Sequence, residues 1–288
     1  MKTTKKMKKL LKLGAFALIL AFGMIIAGCP NNGDDNGGDT GTGGGTGTNG
    51  KWITIVSDSS KLFVSTDNGV NWKEQTVNYP RTGIAYGNGK WIAVGYYSKN
   101  LLVSTDNGVT WTEQPVSHNL FGIAYGNGKW IAVGYSSNNL LVSIDNGVTW
   151  TAQTVSRTRS GIAYGNSKWI AVDRNSNELL VSTDNGEHWT EQTVSLNRTG
   201  IAYGDGKWIA VDGAGYNSNK LLVSTDDGVT WTAQTTIGYP RYGIAYGNGK
   251  WIAVGGYSNN LLVSTDNGVT WTEQTVSSYC NAIAYGGQ

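Results

Sequence analysis

The sequence predicts an all-β protein, a six-bladed β-propeller of four-stranded antiparallel blades closed by its C-terminal strand. Three observations carry this. An octapeptide close to Ser-Thr-Asp-Asn-Gly-Val-Thr-Trp recurs six times, with its Asp at Asp67, Asp106, Asp145, Asp184, Asp226 and Asp266, in steps of 39, 39, 39, 42 and 40 residues. A period of that length, broken into short apolar runs, is the signature of one small sheet per unit. Asn-Gly pairs separate those runs, and the two ends of the chain each hold part of one unit.

Residues 1–28 read as a signal peptide. Lys2, Lys5, Lys6, Lys8, Lys9 and Lys12 precede an apolar run from Leu13 to Ala27, shorter than the roughly 20 residues that span a bilayer core. The run ends in Ile26-Ala27-Gly28-Cys29, which resembles the bacterial lipobox, where cleavage precedes a lipid-bearing Cys. The resemblance implies lipidation of Cys29 and a membrane link through that N-terminal lipid. Pro30 stands where an inner-membrane retention Asp would sit in enteric bacteria, so the expected location is the bacterial cell envelope, at the outer membrane or cell surface.

Six of the 22 basic residues lie in this leader and none of the 20 acidic ones, which leaves 16 against 20 and a formal charge of −4. The basic pI of the whole chain therefore implies neither nucleic acid nor an anionic surface as partner. Cys29 and Cys280 are the two cysteines, and with one acylated no disulfide framework is available.

After Cys29 and Pro30, the rest of residues 29–50 is Gly, Asn, Asp and Thr without a large apolar side chain. Such a stretch cannot offset its ordering entropy by burial, and it reads as a flexible tether with a reach of about 25 Å.

Residues 51–288 form the repeats. Each full unit gives four strands: Gly83 to Gly87, Lys90 to Val94, Leu101 to Ser104, and Trp111 to Gln114 in the second unit. Asn-Gly joins strands one and two and recurs between three and four, where both residues tolerate the positive φ of a hairpin turn. The first unit begins at Lys51-Trp52-Ile53 with no strand one, whereas the chain finishes on an unpaired Ala282-Ile283-Ala284-Tyr285-Gly286. A ring explains both ends, and it also hides the sheet edges of an open stack. Trp91 and Ala93 point to one face and Ile92 and Val94 to the other, so each sheet is apolar on both sides. With 12 Trp and 15 Tyr against 4 Phe, Trp and Tyr are the expected spacers between blades.

The octapeptide, Ser-x-Asp-x-Gly-x-x-Trp, resembles the Asp-box or BNR repeat of the sialidase-like superfamily, also present in sortilin-type receptors and photosystem II assembly factors. The resemblance covers all six units. It implies a structural turn between strands three and four on the rim opposite the ligand, with the six Asp carboxylates accepting bonds from turn amides. Asp-Asn-Gly superficially suggests a calcium loop, but the alternating ligands and the position-12 Glu of an EF-hand are missing, so neither a metal nor a cofactor is expected.

Ligand-contacting loops of a propeller enter strand one and join strands two and three. Two residues ahead of strand one stand Arg81, Leu120, Arg159, Arg198, Arg241 and Cys280. Ring geometry aims the four arginines at the channel mouth as an anion site. Against this stands a plain structural role, each Arg bonding nearby carbonyls or an Asp. Tyr96, Tyr135 and Tyr257 lie on the loops after strand two, with Asp173 and Asp212 at its end, and complete the candidate ligand-binding set.

A sialidase of this fold would need an arginine trio, an Asp acid/base and a Tyr activated by a Glu. Of the six Glu, Glu74, Glu113, Glu191 and Glu273 fall on outer strand four and Glu187 in an octapeptide turn, leaving Glu178 near the ligand face. His118 and His188 are isolated, without the partners nucleophilic chemistry requires. The expected function is a monomeric, non-catalytic binding module for an acidic glycan or an envelope or client protein, with a sialidase-type glycoside hydrolase as the alternative.

Overall fold

The computed structural model describes residues 50–56, 58–134, 138–195, 197–213, 220–236, 238–255 and 258–287. The expected leader, Cys29, the tether up to residue 49, Tyr135 and Tyr257 lie outside these.

Six four-stranded antiparallel sheets account for all strands among the described residues. Blade two is typical: strands Gly83–Gly87, Lys90–Val94, Asn100–Ser104 and Thr112–Pro115. The hairpin between its first two strands turns at Asn88 (φ 43°) and Gly89 (φ 78°), both in the left-handed region, as the Asn-Gly pair requires. The fourth strand begins one residue after the octapeptide Trp, because that Trp belongs to the turn: in blade one the Trp72 indole N–H donates to the Gly69 carbonyl at 3.1 Å.

Closure follows the reading of the chain ends. The C-terminal strand Cys280–Gly286 pairs antiparallel with Lys51–Val56, setting Trp52 opposite Tyr285 and Ile53 opposite Ala284, and so completes blade one.

Neighbouring blades meet through two unlike faces. Blade two offers Ala85, Ile92, Val94, Leu101 and Val103, against which blade three packs Ile123, Trp130, Ala132 and Leu141. Blades five and six repeat the arrangement with Ile209 and Val211 against Trp251 and Ala253. The strand-two tryptophans, Trp52, Trp91, Trp130, Trp169, Trp208 and Trp251, are fully buried. Transfer of apolar area at about 25 cal/mol per Å² makes these six a major part of the core. The strand-one tyrosines wedge the blades apart near the axis. A Cβ on Gly87 would lie 2.1 Å from the Tyr125 ring, and the same seat recurs around the ring to Gly286 under Tyr86. A head-to-tail contact of this kind either propagates or closes, and here six copies close it.

Among the described residues no helix is long and apolar enough to cross a membrane.

Candidate functional site

The ring has two rims. Turns between strands one and two and between three and four lie on one; the loops into strand one and after strand two lie on the other.

On the turn rim the octapeptide Asp organises its own loop. Asp106 accepts from the Thr110 amide at 2.9 Å, the Thr110 hydroxyl at 2.5 Å and the Ser104 hydroxyl at 2.7 Å. In turn the Ser104 oxygen accepts the Gly108 amide at 2.8 Å. These donors hold the carboxylates well below the usual range. Asp67 is depressed to about 2, mainly by the Asn71 amide, and Asp226 and Asp266 to about 2, mainly by the hydroxyls of Thr230 and Thr270. Asp106 and Asp145 are pulled down by Thr110 and Thr149, and Asp184 by the His188 amide. His188 fills the threonine's place, its Nδ1 2.7 Å from Asp184. With its oxygens committed to turn donors, each Asp does structural work. No group of three or more metal-ligating side chains occurs among the described residues.

The same turn also joins blades. Lys51, Lys90, Lys129, Lys168, Lys207 and Lys250 each donate to a carbonyl in the next blade's octapeptide, the last reaching Asn68 of blade one at 2.9 Å. Gln75, Gln114, Gln153, Gln192, Gln234 and Gln274 do likewise from strand four. Sequence reading missed this role, although Lys-Trp and the strand-four Gln recur in every unit. Inside this rim the channel opens into a cavity of about 310 Å³ bounded by Tyr164, Tyr203 and Tyr246.

The loop rim corrects the expected direction of the arginines. Arg81, Arg159, Arg198 and Arg241 are at most 2% exposed and do not line an open channel mouth. Their side chains run outward over the sheet ends. Arg81 donates to the carbonyls of Asn100 and Asn78, Arg159 to that of Glu178 at 3.4 Å, and Arg241 to those of Asn260 and Gly255 at 2.5 and 2.9 Å. Asn100, Glu178 and Asn260 all open strand three, so three blades use one repeated Arg-to-carbonyl tie. Arg198 departs from it, donating to the Asn197 carbonyl at 2.7 Å and lying 3.7 Å from Asp212. Burial lowers Arg81, Arg198 and Arg241 to about 10, so all remain charged at neutral pH. The Nε and Nη2 of Arg159 have no partner among the described residues. The plain structural role weighed from sequence is therefore the observed geometry.

Asp173 is buried, accepts the Asn175 amide at 3.1 Å and sits within Coulomb range of Arg159. Burial pushes its carboxyl up. Glu178 pairs with Arg157 at 3.3 Å. His118 bonds Ser117 at 2.6 Å and lies 3.3 Å from the Asn139 amide nitrogen, as a loop residue would.

Among the described residues the exposed large hydrophobic side chains of this rim are tyrosines. Tyr96 packs against buried Phe121 at 4.7 Å and against Tyr97 at 5.0 Å, and Tyr97 is 67% exposed. With Asp58, Pro80, Arg81, Thr82, Phe121 and Asn281, these two tyrosines line a narrow cleft. Tyr79, Tyr239 and Tyr279, each more than half exposed, sit on the loops entering blades two, six and one. Those blades are adjacent, so the tyrosines form an arc across the closure point. Sequence reading passed over the three, although Tyr-Pro-Arg stands twice in the chain, at Tyr79 and Tyr239.

No protein-family model matches the chain, and no curated protein matches it in sequence. Solved structures do match in fold. A nidogen/laminin complex gives a TM-score of 0.69 at 9% identity over 83% of this chain and 98% of that one. YCF48 bound to D1 peptide gives 0.54 at 18% over 79% and 78%, and YCF48 from Cyanidioschyzon merolae 0.52 at 15% over 82% and 88%.

Proposed function

We propose that the chain is a lipid-anchored, non-catalytic member of the Asp-box propellers, displayed on the bacterial envelope, that binds a protein partner through its loop rim. The observation that carries this is the arc of Tyr79, Tyr97, Tyr239 and Tyr279. Exposed tyrosines give rigid, amphipathic contact area at low entropy cost and dominate recognition surfaces. The arc borders a cleft between blades rather than a deep pocket, which suits an extended segment more than a small molecule. Two structural neighbours are described with a peptide or protein partner, which supports the reading by analogy of fold. Because the guanidinium groups are buried, recognition here rests on aromatic contact and hydrogen bonds, and an acidic glycan is the weaker fit.

A photo-crosslinking side chain at Tyr97 or Tyr239, in cells, tests this: protein adducts are expected there and not with the same group at Asn197. Equal adducts at all three positions would reject the arc as the site. The hydrolase alternative draws on Arg159 beside a buried Asp173. Turnover of a fluorogenic sialoside that disappears in Arg159→Ala, with the variant still folded, would establish it and reject the non-catalytic reading.

A further inference from the structure

We propose that the turn rim is the face laid against the membrane, so that the loop rim with its tyrosine arc points away from the lipid. This rests on the lipid-anchor reading of Cys29, and two observations on the folded body carry it further.

The first is where the chain enters. Gly50 is buried, its amide donates to the Tyr285 hydroxyl at 3.1 Å, and a Cβ there would lie 2.5 Å from the Tyr285 ring. Lys51 pairs with Gly286 at the end of blade one that corresponds to the one-to-two hairpin of other blades, such as Gly87 with Lys90. The segment leading back to Cys29 therefore leaves from the centre of the turn rim. A tether of about 20 residues reaches about 25 Å. Five-residue strands make the body about 17 Å deep, so presenting the loop rim to the lipid would require the tether to cross that rim's radius and then the full depth. An extended path of that kind is entropically disfavoured against simple hanging from the centre.

The second is what the rim exposes. Val70, Val109, Val148, Val229 and Val269 occupy one position of the octapeptide and are 60–65% exposed, with Ile144 at 76% beside them. Ring symmetry sets them at one height, and blade four carries Glu187 instead. The lysines of this rim are turned onto neighbouring carbonyls. Evenly spaced aliphatic groups on the face nearest the anchor fit a bilayer surface, where an anchored body needs only weak additional contact.

The test uses the processed, acylated chain in phosphatidylcholine vesicles containing nitroxide-labelled lipid, with a fluorophore on Val148→Cys or on Asn197→Cys. Cys280 is buried with its thiol pushed up to about 11, so it stays unlabelled. Quenching at position 148 and none at 197 is expected. Equal quenching, or quenching at 197 alone, overturns the orientation while leaving the anchor intact. A chain that stays in the aqueous phase refutes the anchor, and the orientation with it. Val109→Glu, Val229→Glu and Val269→Glu together, each copying Glu187, are expected to reduce quenching at 148 without loss of vesicle binding. Unchanged quenching in that variant would show that the valines do not touch lipid.

Discussion

Around the turn rim the same bonds recur in all six blades, whereas around the described part of the loop rim the exposed side chains change from blade to blade, with tyrosines on the loops entering blades six, one and two. The reason is where each bond ends. Lys51, Lys90 and their equivalents, with Gln75, Gln114 and theirs, reach into the next blade, so a change in one unit must be met by its neighbour. The arginine ties of the loop rim end mainly within their own blade, on Asn100, Glu178 or Asn260. Each blade is thus free to vary its loops without disturbing the ring. Uniformity marks scaffold here, and variation marks the surface on which specificity can be built.

If the turn rim works as a closed circuit, opening it should have the largest effect. Deleting residues 280–287 removes the strand paired to Trp52 and Ile53 and the seat of Gly286 under Tyr86. It also exposes a sheet edge. We expect loss of a single cooperative thermal transition, with near-UV circular dichroism collapsing well below the melting point of the full chain. An unchanged melt would mean that the circuit is not what holds the ring. Next in size is Gly126→Val, which drives a side chain into the Tyr164 ring 2.1 Å from the would-be Cβ. Overpacking at such a site costs about 3 kcal/mol or more, read from denaturant unfolding, and should leave partner binding by the surviving folded fraction unaltered.

Arg81→Leu separates the two rims differently. It leaves the Asn100 and Asn78 carbonyls without the guanidinium, and unpaired buried acceptors cost about 2 kcal/mol net of the relieved desolvation of the charge. Stability should fall by that amount while affinity for the partner stays insensitive to added salt. A steep salt dependence abolished by the substitution would instead return the arginines to the ligand.

The period, the hairpin pairs and the incomplete ends made the ring legible, because they depend on spacing and on backbone freedom alone. Direction of a long side chain does not. Arg81 stands where sequence placed it, two residues before strand one, yet three methylenes carry its charge outward under the loop instead of to the axis, and the acceptors that draw it there are the Asn100 carbonyl of strand three and the Asn78 carbonyl of its own loop. Tyr79 and Tyr239 were equally visible as letters, but their exposure depends on how the loop runs beyond the sheet, which no repeat count reveals. The Lys-to-carbonyl circuit was hidden for a related reason, since it links residues 56 or more apart.

The smallest prediction uses pH to set one rim against the other. Asp67, Asp226 and Asp266 have folded values near 2 against an ordinary 3.8. A depressed carboxylate stabilises the fold above its unfolded value, and that contribution is lost as pH falls through about 4 to about 2. These three turns should therefore loosen first in acid, and those of Asp106, Asp145 and Asp184, whose carboxylates are drawn down further, should hold to lower pH. Asp173 works in the opposite sense. Its carboxyl is raised by burial, so its protonated form favours the fold, and stability is lost as pH rises above the ordinary value of 3.8 through the elevated one. Asp173→Asn keeps the size and the acceptor for the Asn175 amide but removes the buried charge. At pH 7 its melting point should rise, whereas Asp106→Asn, which weakens a carboxylate drawn on by Thr110 and Ser104, should lower it. A fall in both variants would show that the Arg159 charge outweighs burial at Asp173, and would make that pair a fixed ion pair of the scaffold instead of a local cost tolerated by the variable rim.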